Sequence, residues 1–348
     1  MKALVIYKDG ITKVEDVPTP EVTADTIRIK VKACGVCGSD IPRVLNNKAH
    51  YYPIILGHEF SGIVDGIGKS VDNVKVGDHV VGVPLIPCHD CEDCKNGNYS
   101  LCKNYRFIGS RLNGAMAEYV VVPRENVVKL NNSLAFEAAA FIEPLTVVLH
   151  GLKQNDHKTG KKVAILGFGT IGCLAAQVVK AYGAENITVI VRHKKYNELI
   201  HKIGIKNILN TSEDNWLDLA NTFTNGRGYD FIYETAGAIQ TMHQAFQLAG
   251  NKSHLCFIGT PKKEITFTVK EWELMNRKEF YLTGSWMSYS GVFPGTEWKE
   301  AVRLLENGDV TVYPEMIHKR RKLVETSSLF DDYKATGSIS GRNLIVMD

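Results

Sequence analysis

Residues 161–184 read KKVAILGFGTIGCLAAQVVKAYGA, and this stretch decides the fold of the second half of the chain. The apolar run after the two lysines predicts a buried strand, and the amphipathic segment after the glycines predicts a helix that ends at Gly183. Downstream, NITVIVR, YDFIYETAG and SHLCFIGT predict further strands with helix-like segments between them. This alternation indicates an α/β protein with a parallel, doubly wound sheet.

The turn between that strand and helix carries a G-x-G-x-x-G pattern, which includes Gly167, Gly169, Thr170, Ile171 and Gly172. The pattern alone is weak because the chain contains 30 glycines, but its place between a strand and a helix strengthens it. The first glycine permits a tight turn, the second lets the backbone approach a pyrophosphate, and the third lets helix and strand pack closely. The turn therefore predicts a dinucleotide site, with a plain strand-to-helix turn as the alternative.

The end of the next predicted strand bears on which dinucleotide binds. An NAD site normally has Asp or Glu about 20 residues beyond the glycines, where it bonds the ribose hydroxyls. Here that place is Val191, followed by Arg192, His193 and Lys194, with no carboxylate before Glu198. Cations without a competing carboxylate suit a 2′-phosphate. We expect NADP to be preferred and NAD to be possible; in the alternative, these cations form a solvated turn of an NAD enzyme.

The composition is that of a globular protein with a sizeable core, at 44% hydrophobic and 23% charged residues. The length of 348 residues suggests about two domains, of which the first is rich in short β-branched runs. A formal net charge of +3 is too small to favour nucleic acid or a membrane surface as a partner. We find no signal-peptide core and no stretch as long as a membrane helix, so we expect a cytoplasmic protein.

Four of the eight cysteines lie close together in CHDCEDCKNGNYSLC, at Cys88, Cys91, Cys94 and Cys102. Disulfides are rare in the cytoplasm, so the clustering points to metal. Four thiolates with short spacers can surround one zinc ion tetrahedrally and leave no position for a substrate, which predicts a structural site. An iron–sulfur cluster and four free thiols are the alternatives. His89 is redundant once four sulfurs bind, and we expect it to be exposed.

A second set of metal-binding residue types is spread along the first half of the chain. Cys37 lies in KACGVCGSDIP, His58 and Glu59 follow an apolar run in YYPIILGHEFSG, and Glu143 precedes a proline in FIEPLTVVLH. Sulfur, imidazole and carboxylate are the ligand mix of a catalytic zinc that keeps one position open. Each residue is a weak signal by itself, and their spacing does not connect them.

The connection comes from a family resemblance. Over essentially its whole length, the chain resembles the zinc-dependent medium-chain alcohol and polyol dehydrogenases. The most specific shared motif is G-H-E-x2-G-x5-G-x2-V, here at Gly57, His58, Glu59, Gly62, Gly68 and Val71. The four cysteines and the glycine turn follow in the family's order. Segments such as FIGSRLNGAMAEY and GSWMSYSGVFPGTEW are most similar to members that act on a polyol phosphate.

This resemblance implies the medium-chain dehydrogenase fold. A GroES-like, β-rich catalytic domain would comprise residues 1–148 and 287–348, and a Rossmann dinucleotide-binding domain would comprise residues 149–286. The active site would lie in the cleft between them. The resemblance also implies two zinc ions per chain, one catalytic and one structural, and a homodimer or homotetramer.

The resemblance further assigns roles to individual residues. Cys37, His58 and Glu143 would be the catalytic zinc ligands, with Glu59 as an alternate ligand or a neighbouring carboxylate. Asp40 would orient a ligand, which we take to be His58, through its other ring nitrogen.

Ser39 would accept the proton of the substrate hydroxyl. Many family members have a relay histidine three residues after that hydroxyl, where this chain has Pro42. The proton must then leave by another route, such as water.

The expected substrate is a small polyol or polyol phosphate with a reacting secondary alcohol. A phosphate needs cations, and Arg43, His50 and Arg111 fall in segments that the resemblance places near the mouth of the active site. In the alternative, these are ordinary surface cations.

Two other classes of protein stay open at this point. A zinc-ribbon binding module would explain the four cysteines, but it predicts basic and aromatic neighbours, whereas this segment contains Asp90, Glu92 and Asp93. A zinc-free NADPH reductase of the same fold would leave Cys37 and His58 without a role. Metal content separates these readings, because only the zinc dehydrogenase needs two zinc ions per chain.

Overall fold

The computed structural model of the protein describes residues 1–336 and 339–347. The chain divides into two compact units. The first comprises Met1–Pro144 and the residues from Tyr289 onward, and the second comprises Leu145–Ser288. Within the described ranges, no helix combines the length and the apolar character that a membrane span requires.

The strands, in chain order, are β1 Lys2–Ile6, β2 Thr12–Asp16, β3 Thr26–Gly35, β4 Ile54–Ile55, β5 Glu59–Ile67, β6 His79–Gly82, β7 Leu85–Ile86, β8 Arg106–Phe107, β9 Tyr119–Pro123, β10 Val127–Lys129, β11 Lys162–Leu166, β12 Asn186–Val191, β13 Asn207–Asn210, β14 Tyr229–Glu234, β15 Ala249–Phe257, β16 Tyr281–Gly284, β17 Ile317–Lys322 and β18 Arg342–Val346. The α-helices are α1 Asp40–Leu45, α2 Glu92–Lys95, α3 Phe136–Ala139, α4 Ile142–Gln154, α5 Thr170–Ala181, α6 Asn197–Lys202, α7 Trp216–Thr224, α8 Ile239–Leu248, α9 Val269–Lys278, α10 Thr296–Glu306 and α11 Asp331–Thr336.

The second unit is built on a six-stranded sheet in the order β13-β12-β11-β14-β15-β16. Every neighbouring pair in it is parallel. The doubly wound α/β sheet predicted from the alternation of strands and helices is therefore confirmed. β11 lies near the centre and is buried from Val163 to Leu166, as expected for a strand covered on both faces. The following helix, α5, ends two residues before Gly183, which has a φ of +75°.

The first unit is mainly antiparallel. Its largest sheet runs β10-β6-β5-β3-β18-β17, and β9 also pairs with β3. A smaller sheet runs β2-β1-β4, and β7 pairs with β8. The sequence leaves open which sheet the last strand joins. In the structure, β18 pairs with β3 in the first unit, so the end of the chain returns to the sheet formed by its beginning.

β3 shows how the sequence specifies this sheet. Ile27, Ile29 and Val31 are fully buried and alternate with partly exposed polar residues, the period-2 pattern of a strand with one face on the core. From Ala33 to Gly35 the alternation stops and every residue is buried. The strand therefore enters a region covered on both faces just before it reaches Cys37.

Candidate active site and metal centres

Strand pairing brings Cys37 and His58 to the same end of the sheet in the first unit. β3 ends at Gly35 and β5 begins at Glu59, and the antiparallel register pairs these two residues. Cys37 lies two residues after β3 and His58 one residue before β5, so the pairing brings them near each other. Gly57, just before His58, has a φ of +100°, and a Cβ there would lie 2.7 Å from the Cys34 sulfur and 2.8 Å from the Met116 backbone nitrogen, so this turn requires glycine.

The metal-binding atoms of Cys37, His58 and Glu59 all lie within 4.8 Å of one another. His58 and Glu59 are buried, and Cys37 is half-buried. Thiolate sulfur, imidazole nitrogen and carboxylate oxygen are donors that zinc binds in proteins, and three protein donors leave a fourth position for a substrate oxygen. The residues present therefore fit a catalytic zinc ion.

Glu143 lies beside this group, in the first turn of α4. Burial raises the pKa of its carboxyl to about 7, while the charge of His58 opposes that rise and the charges of Cys37 and Asp40 add to it. The three mutually close donor atoms come from Cys37, His58 and Glu59, and Glu143 is near enough to feel the charges of two of them. The structure thus offers two carboxylates for one ligand position.

Burial and charge act in opposite directions on the Cys37 thiol. Burial raises its pKa, but the neighbouring His58 outweighs this effect and lowers the pKa of Cys37 to about 6. Burial lowers the pKa of His58, whereas Asp40 and Cys37 raise it to about 9. The thiolate, which is the form that binds a metal, is therefore favoured at Cys37 near neutral pH.

Asp40 is fully buried and ties together the residues around Cys37. Its Oδ2 accepts a hydrogen bond of 3.1 Å from the Cys37 backbone N–H, and its Oδ1 accepts one of 3.1 Å from Arg43. Oδ1 is 3.7 Å from His58 Nδ1, which has no hydrogen-bond partner in the described part of the chain. We expected Asp40 to orient His58 through a hydrogen bond to the ring. At 3.7 Å, Asp40 acts on His58 through its charge and not through a direct hydrogen bond.

Ser39 lies next to the metal-binding group and is exposed. Its backbone N–H donates to the Cys37 sulfur at 3.5 Å, and its hydroxyl oxygen accepts a hydrogen bond of 2.8 Å from Arg43. A hydroxyl that lies beside the metal ligands and is open to solvent can accept a proton from a substrate bound there and release one to water. The contact with Arg43 was not expected from the sequence.

Arg342, the first residue of β18, is a further site residue that sequence reasoning missed. Its guanidinium pairs with the Glu59 carboxylate, and both side chains are buried. Gly35 makes room for this pair, since a Cβ there would lie 2.5 Å from Glu59 Oε2. The only signal in the sequence is a cation at the start of an apolar strand, and its partner lies 283 residues away.

The four cysteines of the predicted structural site are brought together as well. The sulfur atoms of Cys88, Cys91, Cys94 and Cys102 all lie within 4.8 Å of one another. The backbone N–H groups of Cys88 and Cys91 donate to the Cys102 and Cys88 sulfur atoms at 3.3 and 3.4 Å. Hydrogen bonds from the Asp90 and Cys91 backbones lower the pKa of Cys88 to about 6, whereas burial raises the pKa of Cys94 and of Cys102. Four sulfurs around one point fit a closed zinc site. His89 is exposed, and its ring pairs with a glutamate, Glu125, at 2.7 Å.

In the second unit, the glycine pattern joins β11 to α5. Gly167 has a φ of +93°, and a Cβ on Gly172 would lie 2.1 Å from the Gly167 carbonyl oxygen, so the fold itself requires glycine at both positions. Gly169 differs, because its φ is −76° and a Cβ there would meet no atom within 4 Å. The approach of a ligand is the remaining reason for glycine at this position. Thr170 and Ile171 begin α5, whose free N–H groups attract phosphates.

The end of β12 partly departs from expectation. Val191 is buried at the end of the strand, and Arg192, which follows it, is exposed. Lys194 pairs with Glu213 at 2.8 Å, so the expectation that no carboxylate competes for these cations is wrong. Glu213 follows β13, which pairs with β12, and this spatial neighbour is distant in the sequence. Arg192 has no ion-pair partner in residues 1–336 and 339–347.

The three expected substrate cations influence one another. Burial lowers the pKa of His50, and the positive charges of Arg111 and Arg43 lower it further. His50 and Arg111 are exposed, whereas the Arg43 side chain is 19% exposed and bonded to Ser39 and Asp40. We call Arg43, His50 and Arg111 the cation cluster, in which the two arginines carry the charge near neutral pH because the lowered pKa leaves the His50 imidazole mostly neutral.

A row of rings connects the cation cluster with the metal-binding group. The Arg111 guanidinium lies over the Tyr105 ring, 4.6 Å from its centroid. The Tyr105 and Phe107 centroids are 6.3 Å apart, and Phe107 contacts the His58 ring at 5.5 Å. The positive charge therefore lies a few side chains from the metal ligands.

Comparison with known proteins identifies the family. Residues 23–132 match the family described as alcohol dehydrogenase GroES-like domain, and residues 170–307 match the family described as zinc-binding dehydrogenase. The chain belongs to the zinc-binding medium-chain alcohol dehydrogenase family and is an oxidoreductase. The fold and the family predicted from the sequence are confirmed.

Individual relatives are similar over nearly the whole chain. Galactitol 1-phosphate 5-dehydrogenase of Escherichia coli (strain K12) is 41% identical over 320 residues, 92% of each chain. The crystal structure of the galactitol-1-phosphate dehydrogenase from Escherichia coli has a TM-score of 0.94 at 39% identity and covers 99% of this chain and 100% of that one. D-arabitol-phosphate dehydrogenase of Enterococcus avium is 32% identical over 91% of this chain and 89% of its own. A zinc-binding dehydrogenase from Sinorhizobium meliloti 1021, solved bound to NADP, has a TM-score of 0.88 at 28% identity over 99% of this chain and 98% of its own.

Gly169 and Gly172 lie in different environments, so alanine at Gly172 should lower stability, whereas alanine at Gly169 should weaken cofactor binding. Gly172→Ala places a Cβ against a backbone oxygen and should lower the free energy of unfolding by about 1–3 kcal/mol. Gly169→Ala has space and an ordinary φ, so stability should change by less than about 0.5 kcal/mol. If a pyrophosphate approaches Gly169, that variant should bind the cofactor about tenfold more weakly. Denaturant unfolding and fluorescence titration with NADPH measure both effects. Unchanged cofactor affinity in Gly169→Ala would contradict the assignment.

If each of the two candidate centres binds one zinc ion, a cysteine substitution at either centre should remove only the zinc ion of that centre. Cys37→Ser should remove one zinc ion per chain and abolish turnover while the melting temperature stays near that of the unmodified protein. Cys94→Ser should remove the other zinc ion and lower the melting temperature, because a closed zinc site contributes folding energy. Elemental analysis with thermal unfolding provides the measurement. Turnover by a Cys37→Ser protein that lacks the first zinc ion would refute the catalytic role of that centre.

Proposed function

We propose that this protein interconverts a secondary alcohol of a polyol phosphate and the corresponding ketose, with galactitol 1-phosphate and L-tagatose 6-phosphate as the first pair to test. The observation that carries the proposal is the position of the cation cluster beside the Cys37, His58 and Glu59 donor set. The similarity to galactitol 1-phosphate 5-dehydrogenase supports the same substrate. Oxidation of another polyol, polyol phosphate or secondary alcohol with NADP is the alternative.

The first unit would carry the chemistry, and the second would bind the nicotinamide cofactor. Cys37 and His58, with Glu143 or Glu59, would hold the catalytic zinc ion. When bound there, zinc acts as a Lewis acid on the oxygen of the substrate alcohol. Ser39 would accept the hydroxyl proton and release its own to water. The carbinol carbon would transfer a hydride to the nicotinamide ring, which gives the ketone, the reduced cofactor and one proton.

Charge supports a phosphorylated substrate. A phosphate monoester carries close to two negative charges at neutral pH, and planar guanidinium groups bind it through paired hydrogen bonds. His50 and Arg111 are exposed, and stacking on Tyr105 holds the Arg111 guanidinium in a defined place. An uncharged polyol would have no use for the Arg111 guanidinium.

Selectivity for the phosphate tests this proposal directly. We expect kcat/KM for galactitol 1-phosphate to exceed that for galactitol by at least about 100-fold, because a desolvated ion pair contributes more than about 2.7 kcal/mol. Arg111→Gln should lower this ratio at least tenfold, whereas Arg277→Gln, which removes an exposed arginine on α9, should leave it unchanged. Equal kcat/KM for the two alcohols in the unmodified protein would rule out a phosphate site in the cation cluster.

The cofactor preference rests on Val191 and Arg192. The absence of a carboxylate at Val191 removes repulsion against a 2′-phosphate, and Arg192 next to it is exposed and has no ion-pair partner in the described part of the chain. Lys194 is a weaker candidate for binding the 2′-phosphate, because its ammonium group already pairs with the Glu213 carboxylate.

We expect kcat/KM to be at least tenfold higher with NADP than with NAD. Arg192→Ala should reduce this ratio about tenfold, because it removes a charge-assisted contact with the 2′-phosphate. Lys194→Ala should reduce the ratio less, since Lys194 already pairs with Glu213. Initial rates with each cofactor at saturating alcohol provide the measurement. Equal or better turnover with NAD would contradict the preference for NADP.

The homodimer or homotetramer and the cytoplasmic location stay predictions. For association, β16 is a suitable surface, because it is the edge strand of the six-stranded sheet and exposes Tyr281 and Leu282. The unpaired N–H and C=O groups of an edge strand are a template for pairing with another chain.

A further inference from the structure

The contacts of Arg43 point to a task other than phosphate binding. Family members with a relay histidine use the position that Pro42 occupies here, so the hydroxyl of Ser39 lacks that neighbour. The next residue, Arg43, reaches the same hydroxyl from α1. We propose that Arg43 is a positioning residue that fixes the Ser39 hydroxyl for proton transfer, and that it is not a ligand of the substrate phosphate. This inference rests on the function proposed above.

The hydrogen bonds of Arg43 determine how Ser39 can act. Arg43 Nη1 donates to Ser39 Oγ at 2.8 Å and to Asp40 Oδ1 at 3.1 Å. A guanidinium can only donate, so Ser39 Oγ must accept in this contact. One lone pair of Oγ and its own hydrogen are then left for other partners. The free lone pair can accept the proton of the substrate hydroxyl while the hydrogen of Ser39 passes to water.

Arg43 is held too firmly to follow a mobile phosphate group. Its Nη1 donates hydrogen bonds to the carboxylate of Asp40 and to the hydroxyl of Ser39. Its backbone carbonyl accepts a hydrogen bond of 2.5 Å from the Tyr52 hydroxyl. Asp40, which is fully buried, needs a compensating cation, and Arg43 provides it. The other two members of the cation cluster are exposed, and in residues 1–336 and 339–347 neither side chain has a hydrogen bond or ion pair; Arg111 only stacks on the Tyr105 ring.

The guanidinium also affects the energy of the transfer. During oxidation the alcohol oxygen loses its proton to Ser39 Oγ, and Ser39 gives its original proton to water. The carbon then transfers a hydride to the nicotinamide ring, so the alcohol loses two electrons and the cofactor gains them. The fixed positive charge near Ser39 stabilises negative charge that develops on the substrate oxygen. Loss of this charge should therefore slow the chemical step on any alcohol, with or without a phosphate.

The experiment compares Arg43→Gln, Arg43→Lys and Arg111→Gln on galactitol 1-phosphate and on galactitol, with Arg277→Gln as the control. We expect Arg43→Gln to lower kcat at least tenfold on both alcohols, with KM and the ratio of the two kcat/KM values changed by less than about threefold. Arg43→Lys keeps the charge and should recover part of kcat. Arg111→Gln should change the ratio instead. Zinc content and melting temperature of both Arg43 variants should match those of the unmodified protein.

The outcomes separate the two assignments. A rise in KM confined to galactitol 1-phosphate in Arg43→Gln, with kcat preserved, would make Arg43 a phosphate ligand and overturn the inference while leaving the proposed function intact. Loss of zinc in both Arg43 variants would give Arg43 a purely structural role and also overturn it. If the unmodified protein oxidises neither alcohol, the proposed function fails and the inference fails with it.

Discussion

The candidate active site depends on one buried carboxylate. Asp40 has no exposed surface, and an uncompensated charge at such a position would cost several kcal/mol. It is compensated by hydrogen bonds from the Cys37 backbone and Arg43 and by the proximity of His58. One side chain therefore fixes the loop that carries the thiolate, sets the charge around the imidazole and orders the arginine that contacts Ser39.

The two proposed metal centres would use the same sulfur chemistry in different ways. At the four cysteines, every donor comes from one continuous segment, so the site needs little from the rest of the fold. At the proposed catalytic centre, Cys37, His58 and Glu59 come from the ends of β3 and β5, and the pairing of these strands fixes their separation. Arg342 from β18 adds a third strand to this centre through Glu59. A change in strand register would thus disturb the catalytic centre but not the cysteine site.

The sequence was most informative where function depends on residues that are close together along the chain. The glycine turn, the four cysteines and the parallel sheet follow from local patterns, and the structure has β11, the turn and α5 where these patterns place them. The link between Cys37 and His58 came from family resemblance, because no local pattern joins residues from separate strands. Arg342 with Glu59, and Lys194 with Glu213, could not be predicted. Each pair depends on strand neighbours that only the folded sheet defines.

We propose that one zinc ion binds at Cys37 and His58 and that a second binds at the four cysteines. Anomalous diffraction from crystals of the protein, measured above and below the zinc absorption edge, would locate both ions. We expect two zinc peaks per chain, one within bonding distance of the Cys37 sulfur and the His58 ring and one surrounded by four sulfur atoms. A single peak at the four cysteines, or an iron signal at either position, would contradict this proposal.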